Sequence, residues 1–270
     1  MKTISIDKSK IPVVILCGGY GTRMKEETEF IPKPLIPIGG IPMIVHIMNI
    51  YYRYGYKKFV LPLGYKGDMI KNYFVNYRFS GNFNLKVREG KDNVIEYMNS
   101  GQIKEFDITF IDTGLETQTG ARLKMIRKYL DNPHDTFMLT YGDGVADIDI
   151  QELIDFHFAH GKAVTVTGVN EPVRYGMITE ENSKVIDFGE KIGREINLIN
   201  GGFFVMTTKF FDYIDDNLDT KLENKPLSRV TADDQLMVYL HKGKWACADM
   251  LREVDELNEM YYKGEAFWIT

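Results

Sequence analysis

The segment Val13-Val14-Ile15-Leu16-Cys17 is apolar at every position and runs directly into Gly18, Gly19, Tyr20 and Gly21. A short, continuously apolar run of this kind fits a strand buried on both faces, which needs a covering layer above and below its sheet. A glycine-rich turn at the carboxyl end of such a strand lets the backbone come close to an anion and aim its N–H groups at it. Two cations follow, Arg23 and then Lys33 between Pro32 and Pro34. A strand, an amide cradle and two neutralising side chains are what a triphosphate requires.

Spacing excludes two other glycine loops. A dinucleotide-binding fingerprint begun at Gly19 would need glycine where Met24 stands, and a Walker loop begun at Gly18 would need glycine at Arg23 and lysine at Met24.

The pattern around this motif is regular. Strand-like runs at 12–17, 58–63, 108–111, 136–140 and 163–168 alternate with helical patterns at 41–55, 67–78, 121–130 and 150–160. This predicts an α/β fold, a Rossmann-like and mostly parallel sheet flanked by helices. In such sheets ligands bind beyond the carboxyl ends of the strands, where Gly18 to Arg23, Gly64 to Gly67 and Tyr141 to Asp149 fall. Beyond about 185 the pattern loosens into Gly201-Gly202, a helix over 210–218, a loop over 219–227 and a final helix over 250–262. The expected domain is a single one over 1–270.

At 270 residues and 44% apolar content the chain can bury a substantial core. A net charge of −5 argues against nucleic-acid or anionic-membrane partners, so cations in glycine-rich loops call for a local anion. Cys17 and Cys247, the two cysteines, are too few for a disulfide framework and read as reduced thiols. No secretion signal or membrane span is visible, and the expectation is a cytoplasmic protein.

Further candidates lie after other strands. Asp143, between Gly142 and Gly144, stands where a strand ends, which suits a carboxylate ligand of magnesium. A second carboxylate is offered by Asp249, which reads equally well as a helix N-cap with Glu253 in the first turn. Asp147 and Asp149, just ahead of a helix at 150, have the same alternative. Lys191 after Glu190, near Asn200 and Gly202, suits a phosphate monoester or is simply a solvated lysine. Thr119 and Arg122 open a helix whose N-terminus could receive a phosphate, or which Thr119 merely caps. His157 and His160, one turn apart, read as packing residues more readily than as metal ligands.

Taken in order, the glycine loop with Thr22-Arg23, Pro32-Lys33-Pro34, Gly64-Tyr65-Lys66-Gly67, Asp112-Thr113-Gly114, Tyr141-Gly142-Asp143-Gly144-Val145-Ala146-Asp147, Glu190-Lys191, Asn200-Gly201-Gly202-Phe203-Phe204 and Asp249-Met250-Leu251-Arg252 resemble the sugar-1-phosphate nucleotidylyltransferases. Within them the similarity is to the cytidylyltransferases that use glucose 1-phosphate. The resemblance implies transfer of a cytidylyl group from CTP to a sugar 1-phosphate by in-line attack on the α-phosphorus, with Mg2+ and release of pyrophosphate. It implies a nucleotide half over about 11–150 and a smaller sugar-phosphate and oligomerisation half over about 151–270.

By the same resemblance Leu16, Gly18, Gly19, Gly21, Thr22, Thr119 and Arg122 adjoin the nucleotide, and Arg23 and Lys33 act on the triphosphate. Asp143 and Asp249 hold magnesium, while Glu190, Lys191, Asn200 and Gly202 take the sugar phosphate. A homo-oligomer is implied, a hexamer being one such form. The chain departs from the family pattern at Ile41, Ala121, Ile192 and the residues around Asp249. A UTP- or dTTP-using enzyme and a nucleotide-binding relative without turnover are the other readings.

Overall fold

The computed structural model describes residues 7–24, 28–76, 106–170 and 198–269, together with strand backbones at 83–86, 94–97, 177–181 and 184–189. Its centre is an eight-stranded mixed sheet: β1 (Val13–Leu16), β2 (Lys58–Leu63), β3 (Asp107–Asp112), β4 (Thr136–Tyr141), β5 (Val164–Asn170), β6 (Leu198–Asn200), β7 (Phe204–Thr207) and β8 (Leu236–His241). β1 lies between β2 and β4, and all three run parallel; β3 extends the parallel set beyond β2. The order therefore reverses at β1, opening a crevice beyond the ends of β1 and β4.

The second half departs from a purely parallel arrangement. β7 enters antiparallel between β4 and β5, and β6 continues along the same edge of β5. β8 then pairs parallel along Val164–Val169 of β5, on its other edge. Parallel pairing governs the half that carries the glycine loop, and the added antiparallel strands widen the sheet behind it.

Helices cover both faces: α1 (Met43–Tyr52), α2 (Gly67–Val75), α3 (Thr119–Met125), α4 (Ile150–His160), α5 (Lys225–Ala232) and α6 (Leu251–Tyr262). Alternation along β1 shows how the strand serves two cores. Val13, Ile15 and Cys17 join a cluster with α1, α4 and α6, whereas Val14 and Leu16 join one with Leu123 and Ile126 near α3 and Val230 of α5. Burial on both faces explains why no polar residue interrupts the run. α4 begins where Asp149 accepts from the N–H groups of Gln151 and Glu152, and it stops at Gly161, whose φ of 65° few other residues adopt.

Several element boundaries differ from the sequence expectation for local reasons. Residues 41–42 pair with Pro37–Ile38 in a small hairpin, so α1 starts only after Pro42. The pattern at 121–130 divides into α3 and a separate 3-10 turn at 127–129. The expected helix over 210–218 is a 3-10 turn over 208–213, and the expected loop at 219–227 gives way to α5 at Lys225, with Pro226 in its first turn. The end of the expected helix at 67–78 and the segment holding Glu190, Lys191 and Ile192 lie outside the described residues. Among the described residues no helix is long and apolar enough to cross a membrane.

Candidate active site

A cavity of about 350 Å³ opens at the reversal point, lined by the glycine loop, the loop after β4, the start of α3 and Asp249. Its floor is set by close contacts with a clamped side chain and with backbone. A Cβ on Gly18 would stand 2.3 Å from Cζ of Arg122, and one on Gly142 would stand 2.9 Å from the Leu16 carbonyl oxygen, so both positions demand glycine. Gly21, with φ of 64°, turns the chain into the short 3-10 segment Thr22–Met24. That turn carries Arg23 back toward the cavity.

Lys33 is fixed differently. Pro32 and Pro34 bracket it in a 3-10 turn over Lys33–Leu35, so its backbone is largely preset before the side chain finds a partner. Its ammonium lies 2.6 Å from Oδ2 of Asp143 and also bonds Oδ1 of Asp249. Arg23 pairs with the other oxygen of Asp249. Two cations and two carboxylates thus form an alternating chain, Arg23–Asp249–Lys33–Asp143, at the mouth of the glycine loop. Lys33 is its most enclosed member, with 13% of its side chain exposed, against 29% for Asp143 and 26% for Asp249.

The carboxylates meet because of a short ribbon. Gly144–Ala146 pairs antiparallel with Trp245–Cys247, matching Gly144 to Cys247, and the Ala248 N–H donates 2.8 Å to the Asp143 carbonyl. Residues immediately beyond the paired end, 143 on one side and 249 on the other, are therefore brought together although they stand far apart in sequence. The N-cap reading of Asp249 does not apply. Glu253 accepts the N–H groups of Asp249 and Met250, at 2.8 and 3.1 Å, and so occupies the start of α6 with its own carboxylate. The Asp249 carboxylate is left to face Lys33.

The neighbouring aspartates are committed elsewhere. Asp149 caps α4, while Asp147 accepts from the Lys244 N–H and pairs with His241 at 2.9 Å. His157 and His160 share the Thr165 hydroxyl at 2.8 and 2.7 Å, a packing arrangement inside the fold. Burial, with a smaller contribution from His160, lowers the His157 imidazole to about 4. Burial also pushes the Cys247 thiol up to about 12 and raises Cys17 further, so neither is a thiolate at neutral pH.

Arg122 sits beneath the cavity rather than across it. Its buried guanidinium donates to the carbonyls of Gly18, Leu63, Gly114 and Leu115 and to the Thr113 hydroxyl, over 2.7–3.1 Å. It ties together the loops that follow β1, β2 and β3. Thr119 does not cap α3. Its hydroxyl donates to Glu223 and accepts from the Leu222 N–H, both at 2.9 Å. Tyr141 donates to the other Glu223 oxygen at 2.8 Å and accepts from Asn200 at 3.1 Å.

Leu16, Gly18, Gly19, Gly21, Thr22, Arg23, Lys33, Thr119, Arg122, Asp143 and Asp249 all line the one cavity. Asn200 and Gly202 do not line it; they adjoin Tyr141, which does, and a Cβ at Gly202 would lie 3.2 Å from the Tyr141 ring. Glu190 and Lys191 are outside the described residues. Sequence reading passed over Tyr141 and Glu223 as site residues, and it read Glu253 only as a first-turn acid. Tyr141 carried a usable signal, since it ends the strand that delivers Asp143; Glu223 carried none.

A glycine loop with two converging cations, beside two carboxylates at the reversal point of a mixed α/β sheet, is an arrangement suited to a nucleotide-handling transferase. Residues 12–250 match the nucleotidyl transferase family, and the chain belongs to it as a nucleotidyltransferase enzyme. Among its relatives, the glucose-1-phosphate cytidylyltransferases of Salmonella typhi and Salmonella typhimurium are each 40% identical over 258 residues, 95% of this chain and 98% of theirs. A crystal structure of UDP-glucose pyrophosphorylase complexed with UDP-glucose has the same fold, with a TM-score of 0.67 over 94% of this chain and 99% of that one, at 16% identity.

Proposed function

We propose that this enzyme transfers the cytidylyl group of CTP to α-D-glucose 1-phosphate, releasing pyrophosphate and forming CDP-glucose. The reading is supported most directly by the chain of ion pairs Arg23–Asp249–Lys33–Asp143 at the mouth of the glycine loop. The two relatives named above, similar over nearly their whole length, support the choice of base and sugar.

Asp143 and Asp249 suit magnesium. Two carboxylates, with the remaining positions left to phosphate oxygens and water, are its usual protein contribution. Magnesium would neutralise charge on the triphosphate and on the leaving pyrophosphate. Lys33 and Arg23, now engaged with the carboxylates, would turn to the triphosphate, which the amides of Gly18 to Gly21 receive.

The acceptor is already an anion at neutral pH, so its oxygen attacks the α-phosphorus without a general base. That agrees with His157 and His160 being committed to Thr165 and with the protonated state of both thiols. Catalysis then consists of positioning two anions in line and neutralising their charge. Lys191 and Glu190 are assigned to the sugar phosphate, with Asn200 and Gly202 beside Tyr141 forming the described edge of the acceptor region. In the cell the proposed setting is the cytoplasm.

Pyrophosphate release with magnesium, measured for CTP, UTP, dTTP, ATP and GTP against a panel of sugar 1-phosphates, tests this. The expected result is turnover confined to CTP with glucose 1-phosphate. Preference for another nucleotide or acceptor overturns the assigned specificity, and absence of release with every pair overturns the catalytic reading.

A further inference from the structure

β8 ends the sheet, and among the described residues its outer edge pairs with nothing. An end strand offers a row of free N–H and C=O groups to any strand that approaches. Proteins usually guard such edges with charges, proline or a bulge. Leu236–His241 reads Leu-Met-Val-Tyr-Leu-His, with none of these.

One face of β8 is covered, because Tyr239 packs on Phe156 and donates to Glu152 of α4. The other face is partly covered at Leu236, which packs against the cluster holding Val230, and open beyond it. Val238 and Leu240 are 40% and 55% exposed, and Leu198 of β6, 44% exposed, continues the same apolar surface. The three are joined across Gly168, where an added Cβ would lie 2.7 Å from Val238 and 2.9 Å from Leu198. Gly168 also pairs with Leu240 in the sheet.

The ends of β8 carry opposite charge. Asp233 and Asp234 precede it, Asp234 already paired with Lys162 and Asp233 accepting from Tyr213. Lys242 and Lys244 follow it, with Asp147 and His241 paired nearby. A parallel copy of the strand would set acid against acid and base against base. An antiparallel copy sets acid against base, and a two-fold axis at Val238 also matches Val238 with itself, Leu236 with Leu240 and Asp234 with Lys242. Leu236, Val238 and Leu240 lie on the same sheet face, as directly opposed residues must, while Asp234 and Lys242 flank the strand at its two ends.

We propose that β8 is a self-pairing edge, at which a second copy of this chain joins antiparallel about a two-fold axis at Val238 and continues the sheet from one copy into the next. The interface is isologous, with apolar pairs at its centre and Asp234–Lys242 contacts at both ends.

Sedimentation velocity over a range of concentrations tests the pairing, with melting curves of the same variants as a folding control. The parent is expected as a dimer or as a higher assembly divisible by two. Val238→Lys sets two ammonium groups opposite each other at the axis and should raise the dissociation constant at this contact by about tenfold or more, with the melt of the dissociated chain unchanged. Lys242→Glu should weaken the same contact, and less so at high salt. In a register-specific test, Val238→Cys should be joined across copies by a short bismaleimide, whereas Asp219→Cys and the parent should not. A parent that stays monomeric at about 100 μM, well above the micromolar range in which specific weak contacts form, would overturn the proposal. So would a Val238→Lys assembly indistinguishable from the parent, or a Val238→Cys chain that is not joined.

Discussion

Removing the guanidinium of Arg122 should loosen the glycine loop at a measurable cost in stability. In Arg122→Met five hydrogen bonds are lost, but their acceptors are not equally affected. The Leu63 carbonyl keeps the Thr113 N–H at 3.0 Å and the Thr113 hydroxyl at 2.7 Å, and the Gly18 carbonyl keeps the Tyr65 N–H at 3.2 Å. The carbonyls of Gly114 and Leu115 lose the donor that Arg122 supplies. Hydrogen bonds to a charged group contribute about 1.5–3 kcal/mol each, so two uncompensated losses cost roughly 3–6 kcal/mol. Relief from burying the cation, which itself lowers the Arg122 pKa, returns part of this and leaves a net loss of about 2–4 kcal/mol.

For a chain of 270 residues the unfolding entropy is on the order of 0.6 kcal/mol per kelvin. The expected fall in Tm is therefore about 3–7 °C. Differential scanning calorimetry reads it directly, and the KM for nucleotide should rise in the same variant, because the loop that Arg122 holds is the one proposed to receive the phosphates. A variant melting within a degree of the parent, with unchanged KM, would refute the view that this guanidinium is the clamp beneath the site.

Arg23→Ala should lower turnover by roughly 10²–10³ with little change in Tm, since the side chain is exposed and its proposed role is to stabilise developing charge; steady-state pyrophosphate release checks this. Glu253→Ala frees the backbone at Asp249, so the magnesium concentration giving half-maximal activity should rise, whereas Glu253→Gln, which keeps an acceptor for the same N–H groups, should recover most of it. Acidification should destabilise the fold through His157. Its folded value, about 4, lies below the unfolded 6.5, so the unfolded state binds more protons between these values, and stability present at neutral pH is lost as pH falls from 6.5 toward 4. The loss amounts to about 3 kcal/mol at most, and chemical denaturation at pH 7 and pH 4.5 should show a clearly larger loss in the parent than in His157→Gln, in which His160, also lowered by burial, still contributes.

The half of the molecule that carries the glycine loop was nearly transparent in the sequence. β1, β2 and β4 are apolar at most positions because both faces are buried, and each is followed by glycine or a capping residue at its end. Periodicity and turn chemistry agree there, so the strands could be placed within a residue or two. Legibility fails where long-range pairing overrides local signal. The ribbon joining 144–146 to 245–247 has three residues a side, too short to announce itself, yet it alone accounts for the meeting of Asp143 and Asp249. The sequence also could not say whether Asp249 caps α6, because that turned on where the helix begins: Met250 takes the N-cap position, and Glu253 binds the N–H groups of Asp249 and Met250. α5 was hidden behind a proline and two lysines that read as loop, although Pro226 only marks its first turn.

The cluster of Lys33, Arg23, Asp143 and Asp249 carries no net charge, and this decides how its ligands can arrive. Under the proposed assignment, a magnesium ion coming alone must displace ammonium and guanidinium from the carboxylates it wants. A triphosphate coming alone must strip the same cations from their acids and leave both acids unpaired. Arriving together they exchange partners, the metal taking the aspartates while the phosphates take Lys33 and Arg23, so that no charge is stranded at any stage. By linkage each ligand then strengthens binding of the other to the same degree. The resting enzyme is in this sense a pair of half-sites holding each other shut, opened by the metal–nucleotide complex as a unit rather than by either component.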